Sequence, residues 1–585
     1  MSKLARIALS AVFVFLAMPG AGPALARGRE SPGPLVRYLV RYDHWSKADE
    51  RAYGDFISAI GRSDCRTVDG CLHSPANPFR ASDRPGAEFR SDCADLPYVL
   101  RFYFAWKRGL PFGYVSAVEP RGPTRDYRYT ARGNEVAGRA DARDAGDNGY
   151  AIIHTLRDAV SSATYRVDPD LEVPEPPDLY SPAISQASIR PGTVIYDPNG
   201  HLAVVYEIGS DGRIHFIDAH PDNVLTRGVY DQRFVRSSPD MGAGFKNWRP
   251  MRLLGATRNK DGSLRGGTID VARNSEIDDF SDEQYFGNGD PPHGARAWSD
   301  GIFSLNGEQL DYYDYVRARL AGDSLAFDPL LEVHDMVDSN CADLHYRAQA
   351  VSLAIAAGIA GKQEPGRLPA HIFGVEGEWA TYATSSRDAR LKTAFKELRD
   401  RVERFMRLSL TKDSRLHYNG KDLPAEMLDT YERAAARCTI EYARSNGSTV
   451  ALGYEEARRR LFLMSFDPYH CAERRWGATD PQELSSCADG SAKRAWYVAE
   501  QNLRNQIDGT FDTGMGFALD QLSRPGSDKG IAEPPDIDTR AYLESMTVAT
   551  RPGFRTGSPT LQPCECREKA RPAITAGRRA TTGER

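Results

Sequence analysis

The chain has 585 residues, a formal charge of −5, 41% hydrophobic content and 10% aromatic content. This composition excludes a disordered chain, and the length fits about two to four domains. The acidic balance argues against a nucleic-acid partner held through its phosphates.

Lys3 and Arg6 form a short positive start, and Ile7 to Met18 are apolar apart from Ser10. Ala24-Leu25-Ala26 then supplies a small-x-small cleavage site, so residues 1–26 read as a secretory signal peptide. The apolar run is shorter than the about 20 residues a membrane helix needs, and no later stretch reaches that length. The expectation is an exported protein without a membrane span. Removing residues 1–26 moves the formal charge from −5 to −7.

Residues 27–255 mix helix and strand signals between many Pro and Gly breaks, the pattern of an α+β domain. Cys93 precedes a dense apolar run from Leu96 to Lys107, and Gly109-Leu110-Pro111 stops it. Pro97 fits only the first turn of a helix, so the helix is expected to begin near Cys93. A thiol there would feel the positive helix end, which favours thiolate.

Pro191-Gly192 opens a strand at Thr193–Tyr196, and Asp197-Pro198-Asn199-Gly200 is a turn. His201 to Ile208 and Arg213 to His220 read as a hairpin around Gly209–Gly212. A four-residue loop sets Ile208 against Arg213, Ala203 against Asp218 and His201 against His220. His201, Asp218 and His220 then share one face. A three- or five-residue loop would turn Asp218 to the other face.

The remainder carries less chemistry. Residues 256–303, with Asn259-Lys260-Asp261-Gly262 and Gly287-Asn288-Gly289, read as a linker or long loop. Residues 304–550 read as a helical domain. Ser385 to Asp388 fits a capping box ahead of the stripe Leu391, Phe395, Leu398, Val402 and Phe405. A second stripe runs Leu428, Tyr431, Ala435, Cys438, Tyr442, and further helices are expected around Glu455–Met464 and Ala492–Ile507. Residues 551–585 read as a disordered tail.

Nine cysteines in an exported chain leave at least one unpaired. Cys65 with Cys71, and Cys471 with Cys487, are near enough to staple loops, and Cys341 is a partner for Cys438. Ser339-Asn340-Cys341-Ala342-Asp343-Leu344-His345-Tyr346 resembles Ser91 to Tyr98, a likeness read as coincidence. No His-x3-His or Cys-x2-Cys spacing supports a metal among His201, Asp218 and His220, so no metal or cofactor is expected.

A helix-start cysteine followed by a strand histidine and a polar residue on the next strand resembles the papain-like superfamily. Pro191-Gly192-Thr193-Val194 and Gly200-His201-Leu202-Ala203-Val204-Val205 look like the signature of the NlpC/P60 and CHAP families, and Asp92-Cys93 looks like their D-C pair. Cys93-Ala94-Asp95-Leu96 with Arg108-Gly109-Leu110-Pro111-Phe112-Gly113 also resembles the transglutaminase-like motif. The resemblance covers about residues 85–220, departs in a long insert from 115 to 190, and has Ala94-Asp95 where NlpC-type chains carry a small Ser-Gly pair. It implies a papain-like fold and a thiol hydrolase acting on amide bonds of peptide or peptidoglycan-like substrates. Cys93 would be the nucleophile, His201 the base and acid, Asp218 the orienting group and His220 its substitute. The alternatives are transglutaminase-like acyl transfer and a non-catalytic binding or scaffold protein.

Overall fold

Apolar strands in the first half form one antiparallel sheet, and His201 and Asp218 sit on it. A computed structural model describes residues 35–549 apart from 125, 171–174, 222, 290–296, 371–376 and 508–513. The expected signal peptide and tail, with Cys564 and Cys566, lie outside the described residues.

The first helices are α1 (Lys47–Arg62), α2 (Val68–His73) and α3 (Leu96–Arg108). Ser46 caps α1 through a capping box with Asp49, and Gly109 ends α3 in the left-handed region at φ 71°. A two-stranded ribbon, β1 (Gly113–Pro120) with β2 (Asn134–Asp141), fills much of the long insert. Six strands then form the main sheet: β3 (Leu179–Tyr180), β4 (Val194–Asp197), β5 (His201–Ile208), β6 (Ile214–Ala219), β7 (Leu225–Val229) and β8 (Gly244–Trp248). Their order is β3-β8-β4-β5-β6-β7, and every neighbour is antiparallel.

Alternation gives the sheet two buried faces. Val194, Leu202, Val204 and Ile217 pack on Phe56 of α1 and Phe102 of α3. Ile195, Ala203, Val205 and Phe216 pack on Tyr315 and Val316 of the helix Tyr312–Leu320. Covering both faces explains why β5 is nearly continuous apolar sequence.

The β5–β6 connection differs from the expected one. Ile208 pairs with Ile214, not Arg213, so the loop has one residue more than expected. By itself this would turn Asp218 away from His201. A bulge between Val205 and Glu207 adds one residue to β5 and restores the register, so that Val204 meets Ile217. The bulged Tyr206 is held by α1. Ser58 Oγ donates to its carbonyl at 2.7 Å. Gly61 passes so close that a Cβ there would lie 2.1 Å from the Tyr206 ring, which only glycine permits.

Residues 256–303 are not a linker. Thr268–Val271 pairs with β9 (Met251–Leu254), Thr257–Arg258 pairs with Leu264–Arg265, and Tyr285 is buried. Turn-rich composition hid these short strands because they are two to four residues long and mostly exposed, so they carry little apolar alternation.

In the second half, the helices Pro329–Ala356, Ser385–Thr411 and Leu423–Ala436 share a core that includes Val337, Leu344, Phe395, Val402, Met427 and Tyr431. The Ser385–Thr411 helix has Thr384 at its N-cap, one residue before the expected Ser385, and Thr384 Oγ1 donates to Asp388 at 3.1 Å. The second stripe is only partly helical. Its helix stops at Ala436, and Tyr442 lies in a hairpin of Thr439–Ala443 with Thr449–Gly453. The expected Ala492–Ile507 helix is two, Ser491–Ala499 and Gln501–Asn505, meeting at Glu500.

The fold is thus a mixed α and β one. Disulfides join Cys65 to Cys71, Cys341 to Cys438 and Cys471 to Cys487, a pattern consistent with an exported protein. No helix among the described residues is long and apolar enough to cross a membrane.

Candidate active site

Cys93 is the free cysteine among the described residues and is half-buried. It does not sit in the first turn of α3, which begins three residues later at Leu96. It lies in a tight turn in which the two amides after it are taken: Asp92 accepts from the Ala94 N–H at 2.8 Å and the Asp95 N–H at 3.2 Å. The expected support for thiolate is therefore absent. Burial, then the Asp92 carboxylate, push the thiol well above its ordinary range. The sulfur lies 3.8 Å from the Gly200 carbonyl oxygen and also meets the Leu202 amide, so it rests against the two residues flanking His201.

His201 opens β5, and Asp218 lies across from it on β6. His201 Nε2 is 2.7 Å from Asp218 Oδ2. An ionised carboxylate only accepts, so Nε2 carries the proton and Nδ1 presents its lone pair. Burial works to raise the Asp218 carboxyl, but His220, His201 and Thr226 outweigh it and hold it well below the usual carboxylate range. Burial, then Arg390, lower the His201 imidazole, with Asp218 pulling the other way.

His220 is one step removed from Asp218. Its Nε2 is 2.9 Å from Thr226 Oγ1, and that hydroxyl donates to Asp218 Oδ1. The Thr226 hydrogen is thereby used, so His220 donates to it. His220 also stacks on Tyr346 with ring centroids 3.9 Å apart, and its direct approach to Asp218 is 3.7 Å. Burial brings its pKa down to about 3, so it is neutral at ordinary pH. His201 and Asp218 form the contact pair, and His220 buttresses Asp218 through Thr226.

Cys93, His201, Asp218 and His220 all line one cleft of about 290 Å³. Its opposite wall comes from the helical half. Arg387 and Arg390 face it from the Ser385–Thr411 helix, and Asp343 and Tyr346 from the Pro329–Ala356 helix. Arg390 lies 3.4 Å from the buried Asp197, and Arg233 bridges Asp231 and Asp343. Arg387 donates to the Tyr346 hydroxyl at 2.6 Å.

Sequence reasoning missed Thr226 and this whole wall. Arg387 and Arg390 lie outside the apolar stripe that identifies their helix, and nothing in the sequence marks them. Asp343 and Tyr346 fall inside the C-A-D-L-x-Y likeness taken as coincidence. Their copies at Asp95 and Tyr98 have other partners: Asp95 accepts from the Asp92 N–H and Tyr98 donates to Asp178.

No protein-family model, curated protein or solved structure matches this chain.

Proposed function

We propose that the protein is an exported cysteine hydrolase cleaving amide bonds, with Cys93 as nucleophile, His201 as base and acid and Asp218 as orienting group. The observation carrying this reading is the convergence of a free thiol and a hydrogen-bonded His–Asp pair in one cleft. Peptides are the substrate class the papain-like resemblance implies, cell-wall peptides in particular.

In this reading His201 Nδ1 takes the thiol proton as the sulfur attacks the amide carbonyl carbon. The Cys93 N–H, which has no partner among the described residues, donates to the oxyanion. His201 returns the proton to the departing amine and leaves a thioester. Water, deprotonated by His201, attacks the thioester carbonyl, and the sulfur leaves with the proton. Asp218 stays ionised throughout and stabilises the imidazolium. Because the resting thiol holds its proton tightly, proton transfer accompanies attack, and activity rises with pH.

The same tight hold on the proton is the observation favouring a second reading, a papain-like fold that binds without reacting. Hydrolysis assays on peptide amides, with and without an added primary amine, separate the readings. Wild type should hydrolyse, and Cys93→Ala and His201→Ala should not. Product carrying the added amine would point to acyl transfer. Equal turnover in all three proteins would refute the catalytic reading.

A further inference from the structure

The wall that the helical half adds to the cleft carries Arg387 and Arg390, three residues apart on one helix. Side chains at that spacing share a helix face. Among the described residues Arg387 meets no carboxylate. Its Nε donates to the Tyr346 hydroxyl at 2.6 Å, its Nη1 reaches the Ala383 carbonyl only at 3.5 Å, and its Nη2 has no partner there. Arg390 uses Nη1 alone, at 3.4 Å from Asp197 Oδ2 and 3.5 Å from the Arg233 carbonyl. The neighbouring arginines are engaged more tightly. Arg233 Nη1 is 2.8 Å from Asp343, and Arg347 grips Asp388 through Nε at 2.8 Å and Nη2 at 3.1 Å.

Aromatic rings fix where the two free forks sit. The Arg387 guanidinium lies 4.8 Å from the centre of the Tyr346 ring, which stacks on His220. The Arg390 guanidinium lies 4.9 Å from the centre of the Phe234 ring, which is 6.1 Å from the His201 ring. Each arginine is thus one aromatic ring away from a histidine of the candidate site. Stacking of this kind holds a guanidinium in place before a ligand arrives. An extended peptide advances about 3.3–3.6 Å per residue, so a chain lying in the cleft passes from the thiol to these groups within a few residues.

Building on the hydrolase reading of this cleft, we propose that Arg387 and Arg390 hold a carboxylate of the substrate, so that the protein selects amide bonds within a few residues of a negative charge. A guanidinium fork matches a carboxylate through paired hydrogen bonds. Asp197 and Asp343 line the same cleft and would repel a doubly charged phosphate more than a single carboxylate. On a peptide that carboxylate is either the chain end or an acidic side chain. The helical half is then the part of the molecule that chooses the substrate.

The test is calorimetry on the full-length Cys93→Ala protein, which lacks the nucleophile and keeps the whole wall. The probes are two pairs of peptides: acetyl-tetra-alanine as free acid and as amide, and amidated acetyl-Ala-Ala-Glu-Ala with its Gln counterpart. The acid of at least one pair should bind about 10- to 150-fold tighter than its neutral mate, the range for hydrogen bonds to a charged group. Preference in the first pair assigns the chain end, and preference in the second a side chain. Adding Arg387→Gln should bring the members of that pair together. Should that variant not fold, Arg387→Lys, which keeps the charge and loses the fork, should shrink the preference. Equal affinity within both pairs, no binding of either acid, or a preference unchanged by the Arg387 variants would overturn the site. Wild-type turnover of the same peptides separates this outcome from the hydrolase reading. Acid preference in binding without hydrolysis would end that reading and leave the carboxylate site standing; hydrolysis with no acid preference would do the reverse.

Discussion

Asp218→Asn is the sharpest probe of how the candidate site is built. The carboxylate is buried, accepts from His201 at 2.7 Å and takes a second hydrogen bond from Thr226. Asparagine keeps the shape. Its carbonyl can still accept from His201 Nε2, and its amide can donate to a rotated Thr226 hydroxyl. What goes is the charge. Hydrogen bonds to charged groups contribute about 1.5–3 kcal/mol, which converts to a loss of about 10- to 150-fold in kcat/KM. Folding stability at neutral pH should move by no more than about 1 kcal/mol, since the hydrogen bonds survive. The acid side should change too. Asp218 is held below its unfolded pKa of about 3.9, so its stabilisation is full above that value and lost as pH falls. The variant should therefore show a flatter stability curve below about pH 4. The assays are kcat/KM on a peptide amide and urea unfolding from pH 7 downward. Wild-type kcat/KM in Asp218→Asn, with His201 still essential, would refute the assignment of Asp218.

Further outcomes follow from other contacts. His220 has a folded pKa of about 3 against about 6.5 when unfolded, so the unfolded chain takes its proton first and stability falls as pH drops through that window. His220→Gln should flatten the fall, and an unchanged urea-unfolding slope between those pH values would contradict it. Arg390 is second only to burial in lowering His201, so Arg390→Gln should move the acid limb of the pH–kcat/KM profile to higher pH; an unmoved limb would show that its charge does not reach the imidazole. The Cys341–Cys438 disulfide spans 97 residues, and replacing both by alanine should cost about 4–5 kcal/mol in urea unfolding on the loop-entropy account; a loss below about 1 kcal/mol would contradict that account.

Much of the site was legible because it is local. The turn at Asp197–Gly200, the strand from His201 and a return strand, expected over Arg213 to His220 and found over Ile214–Ala219, follow from composition and turn residues alone. The facing of His201 and Asp218 was reached by the wrong route. The loop is one residue longer than expected, and the Tyr206 bulge adds one back. Nothing in β5 announces a bulge, because it depends on Gly61 of α1, more than a hundred residues earlier. The environment of Cys93 was misread for a related reason. Asp92-Cys93 looks like a motif pair in the sequence, whereas in the fold the Asp92 carboxylate caps the turn and opposes the thiolate. The cleft's second wall depends on packing between halves of the chain, which periodicity within one helix cannot reveal.

The central claim is that Cys93 reacts and His201 makes it react. Incubation with p-nitrophenyl acetate, followed by peptide mass mapping, tests it without knowledge of the natural substrate. The account predicts acetyl on the Cys93 peptide, formed at least about 100-fold more slowly in His201→Ala, the low end for general-base assistance. Acetyl found on surface lysines but not on Cys93, or a Cys93 rate indifferent to His201, would contradict it.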